Sequence, residues 1–306
     1  MPGILLHLGW SRTVSWGAAH RLQKFWDTRA ACNFIGGGSG SSLLFWAALG
    51  LFAGLPYANA ALIGLLLIAF GLLMVWLETG KPWRAFNLFF RPQTSWMTRE
   101  GIVALPLFAV GTLSVLFAAD LLPTLTSTPP TILALLTAVL GLAFLYCQLR
   151  ILNTARGLPA WREPWAMPLL GISGLTEGLG IYLLVMAVMG IVPVALVLVA
   201  WALLIARAFL WQIYVKALRN SDAPAPTLKA FDTMENWFLK TAHALPVVLI
   251  TLVIILPDLA IPLSALAGIA ATLGGWYLKF VVVTRAAYIP KFEIPTLPVR
   301  GQRGSG

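Results

Sequence analysis

The sequence predicts an all-α integral membrane protein with eight transmembrane helices in two four-helix bundles. Three observations lead there. Hydrophobic residues make up 59% of the 306 positions and charged residues only 10%, whereas a soluble domain carries about a quarter charged residues. Mean hydropathy is +0.85, more apolar surface than a soluble core can hide, so lipid must solvate part of it. The apolar residues fall in long blocks, and the length accommodates roughly eight spans of ~20 residues with short loops.

Residues 1–31 contain no continuous apolar stretch of the kind a cleavable signal needs. They interleave Arg12, Arg21, Lys24, Asp27 and Arg29 with Trp10, Trp16, Phe25 and Trp26, which suits a segment lying among lipid head groups. The predicted spans are 33–54, 58–77, 101–121, 131–152, 166–190, 193–215, 242–256 and 261–283. The fifth and sixth are separated by almost nothing and read as a tight hairpin. The seventh is short and runs into Pro257 and Pro262. The longest polar gaps are 78–100 and 217–241. The polar connection 153–165 divides the chain into a first bundle (32–153) and a second (154–284), followed by a tail (285–306).

Charge orients this arrangement. All 21 Lys and Arg fall on one side of it, and the odd-numbered connections carry only Asp120 and Asp258. The positive-inside rule places both termini and the even connections in the cytoplasm, across the cytoplasmic membrane of a prokaryote. A basic face of this kind can also dock an acidic partner. Nothing in the sequence points to nucleic acid.

Several cofactor classes are excluded by residue type. A haem held between membrane helices needs facing histidines. The three histidines are His7, His20 and His243, two of them outside any span and the third without an intramembrane partner in this reading. Cys32 and Cys147 are too few for an iron–sulfur cluster or structural zinc and read as inert packing residues. No phosphate-binding, serine-hydrolase or zinc-protease motif occurs. The chain is expected to hold no metal.

The densest polar stretch runs from Glu78 to Glu100. It contains Lys81, Arg84, Arg91 and Arg99 among the aromatic residues Trp83, Phe86, Phe89, Phe90 and Trp96. Gly80 and Pro82 stop the preceding helix. One reading is a solvated interfacial loop of paired charges. The other is a quinone site, where carboxyls exchange protons, Arg or Lys donates to a carbonyl oxygen and aromatic rings form walls. Span one opens with the small-residue run Asn33-Phe-Ile-Gly-Gly-Gly-Ser-Gly. Gly36 and Gly40 either let helices approach closely or make a flat wall for a planar ligand, with Asn33 as its polar contact. Span four ends in Tyr146, Gln148, Arg150, Asn153 and Arg156. Glu177 lies mid-span, where an acid is a functional candidate. Its expected partners are a serine or threonine nearby, or Arg207, which could instead snorkel to the interface. Tyr277 and Lys279 read as interface anchors.

The 78–100 stretch, Glu-Thr-Gly-Lys-Pro-Trp-Arg-Ala-Phe-Asn-Leu-Phe and then Arg-Pro-Gln-Thr-Ser-Trp-Met-Thr-Arg-Glu, resembles the loop after the second helix of NrfD/DmsC-type membrane anchor subunits. The glycine-rich start of span one and the 146–156 region are also similar to that family. The run from Trp26 to Gly38 and the closing Pro298-Val-Arg-Gly look most like anchors of the phenylacetyl-CoA:acceptor oxidoreductase type. The resemblance implies a three-part enzyme. A catalytic subunit holds molybdopterin with molybdenum or tungsten, an iron–sulfur subunit holds [4Fe–4S] clusters, and this chain anchors both. It would pass electrons between the docked iron–sulfur subunit and menaquinone or ubiquinone, without haem. The implied quinone site comprises Glu78 and Glu100 as proton-exchanging groups, with Asn33, Arg84, Arg99 and Tyr146 binding the head group. Some relatives place a histidine in this pocket, and residues 33–156 contain none. The basic side would face cytoplasmic partners and favour oxidation of a cytoplasmic substrate, such as a CoA thioester or sulfite. Two other functions stay open at this stage. A secondary transporter is suggested by Glu177 and Arg207 within spans, although no pair of broken helices supports it. The other is a membrane scaffold without a redox role.

Overall fold

The computed structural model describes residues 17–18, 20–78, 83, 89–122, 130–221, 223–290 and 292–293. The helices are α1 (Thr28–Phe52), α2 (Ala58–Glu78), α3 (Trp96–Ala118), α4 (Pro130–Thr154), a single turn α5 (Pro159–Arg162), α6 (Ala166–Val188), α7 (Val194–Arg219), α8 (Ala225–Leu239), α9 (Leu245–Ile255) and α10 (Ala260–Phe280). A π-turn over Lys240–Ala244 fuses α8 and α9, and a second, Val281–Arg285, extends α10. Eight of the resulting helical segments are long and apolar enough to cross a membrane. Only helices and closed barrels satisfy their backbone polar groups in lipid. The chain is a multi-pass α-helical membrane protein.

Helices α1–α4 pack on one another, as do α6, α7, α9 and α10, while α1 also lies against α6 and α10. This central position follows from composition. A methyl group on Gly36 would strike the Leu67 carbonyl of α2, and one on Gly40 would strike the Gly64 carbonyl. The Gly36/Gly40 spacing is therefore a helix-packing device, as small residues are elsewhere in membranes.

Helix starts and stops follow local chemistry. Asp27 caps α1 by accepting from the Arg29 backbone N–H. Ser95 caps α3 by accepting from the Thr98 N–H, so α3 begins at Trp96 and takes in Glu100. The sequence reading began this span at 101. The hairpin between α6 and α7 closes at Gly190, whose φ of 74° is a left-handed conformation that glycine adopts freely.

The larger difference lies in 217–241, expected as a polar gap. Residues Ala225–Leu239 form α8, and Thr227, Phe231, Met234 and Phe238 are buried at helical spacing. Lys229, Asp232 and Glu235 occupy its other faces. An amphipathic helix of this kind averages to polar in a hydropathy window.

On the side of the termini the core is rich in aromatic residues, with Trp161, Trp211, Tyr214, Phe231 and Phe238 all buried. Short antiparallel strands tie the two ends of the chain together there. β1 (Gly17–Ala18) pairs with β4 (Phe292–Glu293), and β2 (Arg21–Leu22) with β3 (Tyr288–Ile289).

Candidate functional site

A cavity of about 270 Å³ opens where the N-terminal segment, α1, α2, α3 and α4 converge on the terminal side of the bundle. Its polar lining is Asn33, Glu78 and Glu100, and Phe25, Trp26, Phe34, Val75, Met97 and Ile151 line the rest with Ala30. Three of the six residues expected at a site from sequence thus share one wall. α1 supplies Asn33, the last residue of α2 is Glu78, and the second turn of α3 brings in Glu100.

Asn33 and Glu100 are buried, at 4% and 5% exposure, whereas Glu78 is half-buried. Asn33 Oδ1 and Glu100 Oε1 have no hydrogen-bond partner among the described residues. Buried polar atoms are almost always satisfied, and two orphaned acceptors in one cavity wall suit a ligand that donates hydrogen bonds. Gln148 of α4 braces the floor. Its Nε2 donates to the Asn33 carbonyl at 3.0 Å, and its side chain, like that of Asn33, lies beside the Glu100 carboxyl. Gly37 makes room for the Gln148 amide, since a methyl there would strike it.

The mouth is held by charge and by an aromatic strap. Arg29 pairs with Asp27 at 2.8 Å and donates to the Leu77 carbonyl at the end of α2 at 3.2 Å. Hydrogen bonds from Arg29 hold the Asp27 carboxyl below its ordinary pKa range. Gln23 accepts from the Trp26 N–H at 2.8 Å and donates to the Trp26 and Val283 carbonyls at 2.7 and 3.1 Å. Trp26 stacks on Trp161 with 4.7 Å between centroids and tilts against Phe34 at 5.6 Å.

Arg99 and Tyr146 do not line this cavity. Both pack on Trp96. The Arg99 guanidinium lies 4.1 Å from the ring centroid, and Tyr146 meets the ring edge-on at 5.6 Å. Arg99 also donates to the Pro92 and Gln93 carbonyls at 2.8 and 3.0 Å, shaping the turn before α3. Tyr146 is 49% exposed. Arg84 lies outside the described residues. Sequence reasoning passed over Gln148 and the Phe25–Trp26 strap as site components. The available signal for Gln148 was its place with Phe144, Cys147 and Ile151 on the buried side of α4.

Behind this site the sequence expectations for charged residues need correction. Glu177 pairs with Lys279 at 2.7 Å, both buried, so Lys279 is not an interface anchor. Arg207 neither pairs with Glu177 nor snorkels. It donates to His243 Nε2 at 3.0 Å and to the Ala271 and Ala242 carbonyls at 3.0 and 2.7 Å. His243 therefore has an intramembrane partner after all. Among the described residues no group of three or more His, Cys, Asp or Glu could hold a metal ion.

Comparison with known proteins places this architecture. The profile of the family described as DMSO reductase anchor subunit (DmsC) matches residues 57–271, more than half of the chain, including Glu78, Glu100 and Gln148. Asn33 precedes the matched region. One subunit of the anaerobic dimethyl sulfoxide reductase of Escherichia coli (strain K12) is 32% identical over 107 residues. That alignment covers 35% of this chain and 37% of the relative, so the likeness spans about a third of each.

Proposed function

Because the chain belongs to the DMSO reductase anchor subunit (DmsC) family, we propose that it is the membrane anchor of a molybdenum or tungsten oxidoreductase complex. In this reading it is also the complex's quinone-reactive subunit. The partners are an iron–sulfur subunit with [4Fe–4S] clusters and a molybdopterin catalytic subunit, docked on the basic face. The termini and that face lie in the cytoplasm. The Trp26–Gly38 run and Pro298–Gly301 support the narrower likeness to phenylacetyl-CoA:acceptor oxidoreductase anchors.

The observation that carries the quinone reading is the pair of orphaned acceptors, Asn33 Oδ1 and Glu100 Oε1, in the wall of the cavity. A quinone carries two electrons and two protons between its oxidised and reduced forms. Asn33 and an ionised Glu100 accept hydrogen bonds from the hydroxyls of the reduced form, and a protonated Glu100 donates to a carbonyl oxygen of the oxidised form. Trp26, Phe34 and Met97 supply apolar walls for a ring. The volume, about 270 Å³, lies just under the ~300 Å³ at which small-molecule clefts begin, which suits a head group with its tail left in lipid. Glu78, half-buried at the rim, connects the site to water for proton exchange. Arg99 and Tyr146 act around the site by seating Trp96, and Arg84 is carried over from the sequence resemblance as a further donor to the head group.

The test is purification through this chain in mild detergent, with metal analysis and quinone kinetics on wild type and Glu100→Gln. Wild type brings down one large and one iron-rich subunit with molybdenum or tungsten. Glu100→Gln assembles equally and reacts with quinone at least about 10-fold more slowly, as loss of a positioned acid–base group does. A lone metal-free chain sinks the anchor role, and an unchanged rate removes Glu100 from the site.

A further inference from the structure

Resting on the cavity as the quinone site, we infer that the buried Lys279–Glu177 pair is the electrostatic back wall of that site. Its ammonium end is turned toward the cavity, where it favours negative charge on the bound head group.

The pair sits where α1, α6 and α10 meet. Lys279 is 4% exposed and Glu177 0%. The carboxylate is saturated with donors: Oε2 accepts from Lys279 at 2.7 Å and from Ser39 at 2.6 Å, and Oε1 accepts from Ser173 at 3.0 Å. Trp276 donates in turn to Ser39 Oγ at 2.8 Å. The ammonium is different. Glu177 takes one of its three donors, and the Lys279 side chain also borders a small apolar void that Gln148 and Phe34 line from the cavity side. Gln148 braces Asn33, and Phe34 lines both the void and the cavity.

The order of contacts along α1 gives the pair its direction. Asn33 is at the cavity, Gly37 faces the Gln148 amide, Gly38 faces the Lys279 ammonium and Ser39 holds Glu177. At ~1.5 Å rise per residue the ammonium stands about 7.5 Å beyond Asn33, with the carboxylate deeper still. The positive end is the nearer one. Arg207 of α7 adds a second interior cation near Glu177, and Glu78 and Glu100 are the acids in the cavity wall. A buried ion pair contributes little net stability, and an ionisable group inside a span is a functional candidate by default. Fixed charge in a low-dielectric site acts strongly on charge that forms nearby.

The experiment measures binding of two probes at pH 7 to the complex carrying this chain, by tryptophan quenching and calorimetry. The probes are neutral 1,4-naphthoquinone and 2-hydroxy-1,4-naphthoquinone, which is ionised at that pH. Replacing both charges at once, Lys279→Met with Glu177→Gln, leaves neither member of the pair without its partner. Expected is an about 10-fold loss of preference for the anion with neutral-probe affinity unchanged, while Lys279→Arg keeps the preference. Gly38→Ala, which displaces the ammonium without altering any charge, lowers the preference as well and carries the test should the double variant not assemble. Both probes binding with an unaltered preference in these variants overturns the inference and leaves the quinone site standing. Binding of both probes that survives Ala30→Trp, which fills the cavity, overturns the quinone site itself.

Discussion

Arg207 shows how much a single membrane-buried residue can organise. Its guanidinium bridges α10, through the Ala271 carbonyl, to the π-turn, through the Ala242 carbonyl and His243. Because Arg207 Nε–H donates to His243 Nε2, the ring proton sits on Nδ1 and is donated to the Phe238 carbonyl at 2.9 Å. The histidine is thereby a neutral structural element. Arg207→Met strands two carbonyls and one ring nitrogen, each costing about 1–3 kcal/mol when buried without a partner. A lower melting temperature in detergent is expected, with quinone affinity retained. An unchanged melting temperature would show that those acceptors find other donors. At this scale the sequence revealed a serine partner for Glu177 but not its ion-pair partner. Arg207 and Lys279 are both cations in apolar segments, and choosing between them for Glu177 needs the relative rotation of α7 and α10. Asn33, Glu78 and Glu100 come together in one cavity wall, and each is polar at the end of an apolar block. Arg99 and Tyr146 pack on Trp96, a contact that nothing in the sequence indicates.

Among the elements, α1 and α2 set the width of the site, since Asn33 packs against Gly71 across their contact and Glu78 ends α2 beyond it. That contact depends on Gly40, whose neighbour is backbone that cannot rotate away. Gly40→Ala is expected to cost about 1–3 kcal/mol through overpacking and to weaken 1,4-naphthoquinone binding, both read in one titration series. Gly54→Ala is the control: open space surrounds it, and only its φ of 75° is strained. Its cost, about 1–2 kcal/mol, should leave binding untouched. Equal effects of the two on binding would refute the idea that the α1–α2 seam sets the cavity. The small-residue run announced a close packing face, but whether it faced a helix or a ligand was undecided until Gly64 and Leu67 proved to lie opposite. α8 was illegible for the opposite reason: its buried stripe is narrow, and its charged faces dominate a window average.

For the molecule as a whole, the eight spans were readable because lipid imposes a length and an apolarity on every helix that crosses it. The same bias in Lys and Arg predicts which side docks the partners. With Cys32 and Cys147 replaced by serine, Asp258→Cys in intact cells should react with a membrane-impermeant maleimide. Asn220→Cys should react only after permeabilisation. The reverse pattern would put the basic face, and the catalytic partners with it, outside the cytoplasm.

The strap over the cavity carries a consequence for biosynthesis. Phe25 and Trp26 emerge from the ribosome ahead of the eight spans described, yet the segment bearing them is fastened by Val283 and by the strand Tyr288–Ile289. The first residues of the pocket wall must therefore wait, unpinned at the membrane surface, until the last helix has been inserted. The site is completed only once α10 and β3 are made, so a ribosome that stalls before residue 283 leaves a chain whose early spans are in place but whose pocket stays open.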